Sequence, residues 1–179
     1  MDPGDVVIRV AHGADAAALA ELARRTFEDT FAADNDPTNI ATHVAHAFGV
    51  AQQAAEIANP DVFTLVGEAG GALVAFAQLR RRPGARAPKC VRAARPIEVW
   101  RFYVDRAWHG GGLAARLMDA ALARAASLGA DAAWLGVWEK NPRAIRFYAK
   151  HGFVDVGAHV FEVGADAQTD RVMQRALSQ

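Results

Sequence analysis

Two side chains in the second half of this sequence, Tyr148 and Glu98, could move protons during a reaction. Tyr148 lies on a short helix-like segment, and its hydroxyl is a neutral proton donor at pH 7. Glu98 stands near the start of an apolar segment with Trp100 and Phe102, where a dry environment would make it a stronger base. Such a pair can protonate a leaving group and deprotonate an attacking nucleophile. The alternatives are ordinary core packing for the tyrosine and an ion pair at the rim of a sheet for the glutamate.

The segment that carries Tyr148 has well-specified ends. Asn141 suits the N-cap of a helix, Pro142 suits the first helical position, and Gly152 suits the residue just past the last turn. Upstream, the apolar run from Ala132 to Trp138 is too short for a typical globular helix, which favours a buried strand. The sequence therefore predicts a strand that leads directly into a capped helix.

A run of three glycines stands between a predicted strand, Ile97 to Val104, and a predicted helix, Leu113 to Leu128. Glycines expose backbone N–H groups, and the helix behind them adds unpaired donors and the positive end of its dipole, so the loop suits a pyrophosphate. Glycine runs are also common in plain turns. A dinucleotide-binding loop begins almost directly after its strand, whereas DRAWH intervenes here, and a GxxxxGK loop would need a lysine after the glycines.

The segment His109-Gly110-Gly111-Gly112-Leu113-Ala114 after the strand end at Val104 resembles the (Gln/Arg)xxGx(Gly/Ala) signature of the GNAT superfamily, the acyl-CoA-dependent N-acyltransferases. The strand before Asn141, and Tyr148 seven positions after that residue, are similar to a second part of the same superfamily. His109 departs from the usual Gln or Arg but leaves the backbone donors in place. The phrases RFYVDRAWHGGG and WLGVWEKNPRAIRFYAKHGF also look like a bacterial branch that includes polyamine N-acetyltransferases.

The resemblance implies one α/β domain over residues 1–179, with a mixed, mostly antiparallel sheet, helices on both faces and two central strands that splay apart. It implies acetyl-CoA as cosubstrate, bound between those strands, with Tyr148 as the acid that protonates the departing thiolate and Glu98 as the base. A strand-end N–H near Tyr103 or Val104 would stabilise the carbonyl oxygen. The residues implied to bind the cosubstrate are Phe102, Tyr103, Val104, His109, Gly110, Gly111, Gly112, Leu113, Ala114, Ala115, Asn141 and Tyr148.

Composition limits the remaining possibilities. The chain has 179 residues, 52% of them apolar, and a formal net charge of zero, so no global charge favours nucleic acid or an anionic membrane. Its single cysteine, Cys90, excludes an intramolecular disulfide and fits a reducing compartment. The first ten residues lack the cationic start of a secretory signal, so we expect a cytoplasmic protein. His43 and His46 have no third ligand at a suitable spacing, so we expect no metal.

The acceptor is the least defined part of the prediction. Carboxylates at the expected end of the first helix, Glu28, Asp29, Asp34 and Asp36, could hold a polycationic amine. The loop from Arg80 to Pro96 carries seven basic and no acidic residues, which points to an anionic acceptor, to the cosubstrate's phosphates or to a solvated loop. We expect a small primary amine, polyamine-like by resemblance. The alternatives are an amino acid, an aminoglycoside, a protein N-terminus, or a non-catalytic acyl-CoA-binding regulator. A homodimer is left open.

Hydrophobic periodicity supplies the other elements. The predicted helices are Ala14 to Phe31, Ile40 to Phe48 and Gln52 to Ala58, and the predicted strands are Val6 to Val10, Val62 to Val66, Ala72 to Leu79, Gly152 to Val163 and Arg171 to Leu177. GEAGG separates the second and third of these strands, which favours a hairpin whose loop is longer than an ideal two-residue turn.

Overall fold

A single sheet organises the molecule. The computed structural model describes residues 5–81, 87–163 and 166–177, without the side chains of 161–163 and 166–168. Within these ranges seven strands pair in the order β1-β2-β3-β4-β5-β7-β6. All neighbours are antiparallel except β4 and β5, which are parallel. The strands are β1 Val7–Val10, β2 Val62–Ala69, β3 Ala72–Arg80, β4 Pro96–Val104, β5 Ala132–Trp138, β6 Val154–Val163 and β7 Asp166–Ala176.

Helices cover both faces of this sheet. They are α1 Ala16–Phe31, α2 Pro37–Ala47, α3 Val50–Ala58, α4 Leu113–Ser127 and α5 Pro142–Lys150, with single 3-10 turns at Gly13–Asp15 and Arg106–Trp108. One apolar cluster contains the buried side of α4, with Leu117 and Met118 fully buried, and residues of α5 pack against its edge. A second cluster joins α1 and α2 to the opposite face of the sheet around Phe76. This is the mixed α/β architecture that the sequence predicts.

Three boundaries differ from the sequence-based prediction by three residues or more, namely the end of β2 and the beginnings of α2 and β7. β2 runs on to Ala69 and β3 begins at Ala72, which leaves the two-residue turn Gly70-Gly71 with φ of +56° and +80°. Two consecutive positive φ values are typical of the type I′ hairpin turn, so the expectation of a longer loop was wrong. α2 begins at Pro37 rather than at Ile40, and β7 begins at Asp166 rather than at Arg171, which includes Asp170 in the strand. The end of α1 at Phe31 agrees with the prediction, so Glu28 and Asp29 lie in its last turns.

The strands β4 and β5 pair only at their beginnings. Their register joins Pro96, Ile97 and Glu98 to Ala132, Ala133 and Trp134, and no pairing follows. Beyond these residues β4 stays paired with β3 as far as Val104, while β5 stays paired with β7 as far as Trp138. A bulge at Trp100, between the register pairs of Arg101 and Val99, bends β4 near this point. The result is a cleft that opens between the carboxyl ends of two central strands.

Among the described residues, no helix combines the length and the apolar character that crossing a membrane requires. In the same ranges, no group of three or more His, Cys, Asp or Glu side chains is arranged to hold a metal ion. His43 instead stacks on Phe27, with ring centroids 4.5 Å apart, and burial lowers the pKa of its imidazole.

Candidate active site

The cleft between β4 and β5 leads toward the glycine loop. After β4 ends at Val104, Asp105 caps the 3-10 turn by accepting a hydrogen bond from the N–H of Ala107 at 3.0 Å. Gly110 and Gly112 then take φ of +85° and +88°, backbone conformations that residues with a Cβ rarely adopt. A Cβ built on either glycine would meet no atom within 4 Å, so the space in front of the loop is open. An extended ligand that enters the cleft from this end would meet backbone rather than side chains.

The helix behind the loop begins without a capping side chain. Gly112 is the N-cap residue of α4, and among the described residues no side chain caps this end of the helix. The first N–H groups of a helix have no partner within the helix, so those of Leu113, Ala114 and Ala115 are available to an anion. The side chain of Leu113 is fully buried in the core, so only its backbone can take part in binding. The loop and helix terminus together fit a pyrophosphate group.

His109 has a defined place at the head of this loop. A nitrogen of its ring, Nε2, lies 2.8 Å from the carbonyl oxygen of Val104, the last residue of β4. The imidazole therefore ties the start of the glycine loop to the end of the strand. This contact gives the residue that departs from the family signature a structural role.

Tyr148 lies on α5 and reaches the cleft from one side. Asn141 caps the helix through its side-chain oxygen, which accepts a hydrogen bond from the N–H of Ala144 at 3.0 Å. The Tyr148 ring packs edge-on against Phe153 and Phe102, with centroids 5.9 and 6.3 Å away. Burial, with a smaller contribution from nearby Tyr103, raises the pKa of the Tyr148 hydroxyl. The hydroxyl therefore stays protonated at any physiological pH, as a general acid requires.

Glu98 lies at the closed end of the cleft and is ion-paired. Its Oε2 accepts hydrogen bonds from Nε and Nη2 of Arg80 at 3.0 and 2.8 Å. Arg80 also lies 3.8 Å from the centre of the Trp100 ring, which Arg101 approaches at the same distance. This is the ion pair that the sequence offered as the alternative to a base. The role of Glu98 as a base stays a prediction.

The acidic residues proposed for an acceptor do not form one group. Glu28 accepts a hydrogen bond from Arg24 one turn earlier on α1, at 2.6 Å. Asp29 and Asp34 are exposed, and Asp36 caps α2 by accepting a hydrogen bond from the N–H of Thr38 at 2.8 Å. In the basic loop Arg82 and Arg86 lie outside the described residues. Binding of an amine by Glu28, Asp29 and Asp34 stays a prediction.

The sequence missed a buried carboxylate that the fold places beside the end of β5, the strand that forms one side of the cleft. Asp170 of β7 is 8% exposed and is the register partner of Trp138 at the end of β5. Burial raises the pKa of its carboxyl group to about 6. His159 of β6 is its register partner on the other side, with Nε2 and Oδ2 4.0 Å apart. The predicted strand begins at Arg171, one residue too late to include Asp170. A strand predicted to begin earlier would have placed this carboxylate within the sheet.

Known proteins resemble this chain in sequence and in fold. Residues 17–153 match the model of the Acetyltransferase (GNAT) family. The chain belongs to the GNAT family. An uncharacterized N-acetyltransferase of Mycobacterium tuberculosis is 37% identical over 163 residues, which cover 91% of this chain and 98% of that protein.

Two solved structures of this GNAT fold were determined with coenzyme A or acetyl-CoA. The PaiA N-acetyltransferase of Thermoplasma acidophilum, in complex with coenzyme A, superposes with a TM-score of 0.77 at 20% identity, over 96% of this chain and 98% of that one. YncA of Salmonella typhimurium, a putative acetyltransferase with acetyl-CoA, gives 0.66 at 23% identity, over 97% and 95%. At these identities the likeness concerns the fold. Together with the family match, it identifies this GNAT chain as an acetyltransferase.

Proposed function

We propose that this GNAT protein transfers the acetyl group of acetyl-CoA directly to a primary amine of a small molecule. The observation that carries the proposal is the parting of β4 and β5 after Glu98 and Trp134, with Tyr148 at one side of the cleft and the bare N-terminus of α4 at its end. The unpaired backbone between the strands suits pantetheine, and the glycine loop suits the diphosphate. Acetyl-CoA supplies an activated thioester when it is bound.

The residues of this chain then have distinct tasks. The N–H groups of the loop and of the first turn of α4 would hold the diphosphate, and the amide nitrogen of Asn141 would be available to pantetheine because the oxygen caps α5. Backbone N–H groups at Tyr103 or Val104 would stabilise charge on the carbonyl oxygen. Tyr148 would give its proton to the thiolate as the carbon–sulfur bond breaks. Glu98 is the sequence-predicted base for the amine.

Replacement of Tyr148 by Phe tests the acid, because this change removes one oxygen and keeps the ring packing. Loss of a general acid lowers turnover by about 100-fold to 10,000-fold. We expect that loss in a thiol-release assay with a panel of primary amines, while calorimetry shows unchanged binding of coenzyme A. Unchanged turnover would remove Tyr148 from the chemistry, and absence of coenzyme A binding by the unmodified protein would overturn the proposed function.

The same assay separates an enzyme from a regulator on this fold. A regulator binds acetyl-CoA but releases no thiol in the presence of any amine. The panel should contain a polyamine, amino acids, an aminoglycoside and a peptide with a free N-terminus, since the polyamine preference comes only from resemblance.

Exposed valines on the two edge strands, Val7 and Val10 of β1 and Val154 and Val160 of β6, support a homodimer. Light scattering coupled to gel filtration tests the dimer, and a monomeric mass would exclude it.

A further inference from the structure

The strand β7 brings to the cleft a carboxylate that has no task in the scheme above. Met173 of β7 packs in the apolar cluster of α4 and α5, so the even-numbered residues of this strand face the side of the sheet where α1 and α2 pack. Asp170 lies on that side, beside its partner Trp138. Trp138 in turn contacts Phe31 at the end of α1, with ring centroids 5.9 Å apart. Asp170 is thus on the face of the cleft opposite the α4 and α5 layer that contains Tyr148.

The carboxylate leans across the neighbouring strand toward the cleft. A Cβ built on Gly136 of β5 would lie 2.9 Å from Oδ2 of Asp170 and 2.8 Å from Nε2 of His159. Real Cβ atoms do not approach other atoms so closely, so a glycine at this position makes room for both side chains. Gly136 is diagonal to Asp170 in the β5–β7 register, because its own partner is Val172. Asp170 therefore extends over β5 in the direction of β4.

Two electrostatic couplings connect this carboxylate to the acid. The Tyr103 pKa is raised mainly by burial, with Asp170 adding to the rise and Arg101 opposing it. Tyr103 in turn raises the pKa of Tyr148. The titratable and charged groups that face Asp170 are therefore His159 from β6 and Tyr103 from β4, with Lys140 near the Trp138 ring at 5.9 Å. Tyr103 is therefore near both Asp170 and Tyr148, and it lies on β4 beyond the point where this strand parts from β5.

The bonding of Asp170 differs from that of Glu98. Glu98 accepts two hydrogen bonds from Arg80. Among the described residues no side chain or backbone N–H donates a hydrogen bond to Asp170, and Nε2 of His159 lies 4.0 Å from its Oδ2. A nearly buried carboxylate without a donor is costly to a fold, and such groups are typical of functional sites.

We propose that Asp170, flanked by His159, binds the ammonium group of the acceptor and takes its proton, so that the acceptor enters on the α1 and α2 side of the cleft. This assignment rests on the proposed function and deepens it, and it makes Asp170 rather than Glu98 the base for the amine. The ammonium gives one proton to the Asp170 carboxylate and becomes a neutral amine. Its lone pair forms the bond to the acetyl carbon while the carbon–sulfur pair leaves with sulfur, which takes the Tyr148 proton. The phenolate takes the second nitrogen proton, and Asp170 releases the first to solvent.

The test compares Asp170→Asn with Glu98→Gln and with Asp155→Asn. Asp155 is an exposed carboxylate on β6 that is ion-paired with Arg171, so it controls for the loss of a charge on the same β6–β7 hairpin. Thiol release is measured with n-butylamine and spermidine from pH 5.5 to 9, and coenzyme A binding is measured by calorimetry. We expect Asp170→Asn to lower kcat/KM for the amine by about 100-fold or more and to lose the acidic limb of the pH profile. Binding of coenzyme A and the activity of Asp155→Asn should not change.

Gly136→Ala supplies a second, independent variant. Its methyl group would displace both Asp170 and His159 without removing either side chain, so kcat/KM for the amine should fall while coenzyme A still binds. Unchanged amine kinetics in Asp170→Asn, or a larger loss in Glu98→Gln than in Asp170→Asn, would overturn the assignment.

Binding of the amine separates failure of this assignment from failure of the proposed function. If the unmodified protein releases no thiol with either amine, acetyl transfer to such amines is refuted. Chemical-shift changes on adding n-butylamine to the coenzyme A-loaded protein then decide the role of Asp170. Shifts that are lost in Asp170→Asn support the assignment, whereas equal shifts in both proteins, or none in the unmodified protein, overturn it.

Discussion

Asp170→Asn should make the protein more stable at neutral pH. The folded-state pKa of Asp170 is about 6, against an ordinary value of 3.8, because burial disfavours the charged form. One pKa unit corresponds to about 1.4 kcal/mol, so the charged carboxylate costs the fold up to about 3 kcal/mol above pH 6. Asparagine has nearly the same shape and no charge. The variant should therefore gain up to about that amount in free energy of unfolding at pH 7.

The sign of the pH dependence follows from proton binding. Between about pH 4 and pH 6 the unfolded chain has lost the Asp170 proton while the folded chain still holds it, so stability falls as the pH rises. Urea unfolding at intervals from pH 4.5 to 7.5 measures this difference. The two proteins should be similar near pH 4.5 and diverge toward pH 7, with the variant the more stable.

Asp155→Asn provides the opposite case. Its hydrogen bonds with Arg171 lower the Asp155 pKa, so the charged carboxylate stabilises the fold at any pH above the pKa of this group in the unfolded chain. The variant should therefore be slightly less stable at pH 7. Parallel pH curves for Asp170→Asn and the unmodified protein would refute the reasoning, because Asp170 would then titrate as an ordinary exposed carboxylate. Higher stability with lower activity would mark Asp170 as a residue retained for function.

Three further predictions concern the frame of the site. Arg101 is 9% exposed and ion-paired to Glu56 at 2.5 Å. Glu56→Gln should lower the free energy of unfolding, measured in urea, by about 3 to 5 kcal/mol because Arg101 is then buried without its counter-charge. A loss below about 1 kcal/mol would contradict this. Hydrogen bonds from Arg9 hold the Asp15 pKa at about 2, so this pair should stabilise the fold above about pH 4 and lose its effect as the pH falls through about 2. Acid unfolding curves should show this loss of stability in the unmodified protein and not in Asp15→Asn. Gly112→Ala should weaken coenzyme A binding about tenfold in calorimetry, because a Cβ at φ +88° costs about 1 to 2 kcal/mol; unchanged affinity would show that the loop binds in another conformation.

The part of the site that could be predicted from sequence is local in the chain. The bounds of β5 and the cap at Asn141 follow from hydrophobic pattern and capping chemistry within a few residues, and the structure confirms both. The position of the glycine loop between β4 and α4 is confirmed for the same reason. In each case the residues that determine the local structure are also the residues that do the proposed binding.

Glu98 shows where local reasoning stops. Its apolar neighbours Trp100 and Phe102 are visible in sequence and suggest a dry environment. Its ion-pair partner, Arg80, stands 18 positions earlier and meets Glu98 only through the register of β3 and β4. Burial of a carboxylate can be anticipated from its neighbours, but its ion-pair partner depends on strand pairing across the sheet.

The acceptor side depends on strand register to a greater extent. Gly136 reads in the sequence as one small residue within an apolar strand, and Asp170 reads as an ordinary polar residue before a strand. Their roles follow from the antiparallel pairing of β5 with β7. This pairing puts Gly136, which has no side chain, diagonal to Asp170, whose carboxylate needs the space. A shift of this register by one residue would turn Asp170 to the opposite face, toward α4 and α5, and remove it from Trp138 and His159. The proposed cosubstrate site of this protein can therefore be predicted from a motif, whereas its proposed acceptor site depends on how the last strands pair.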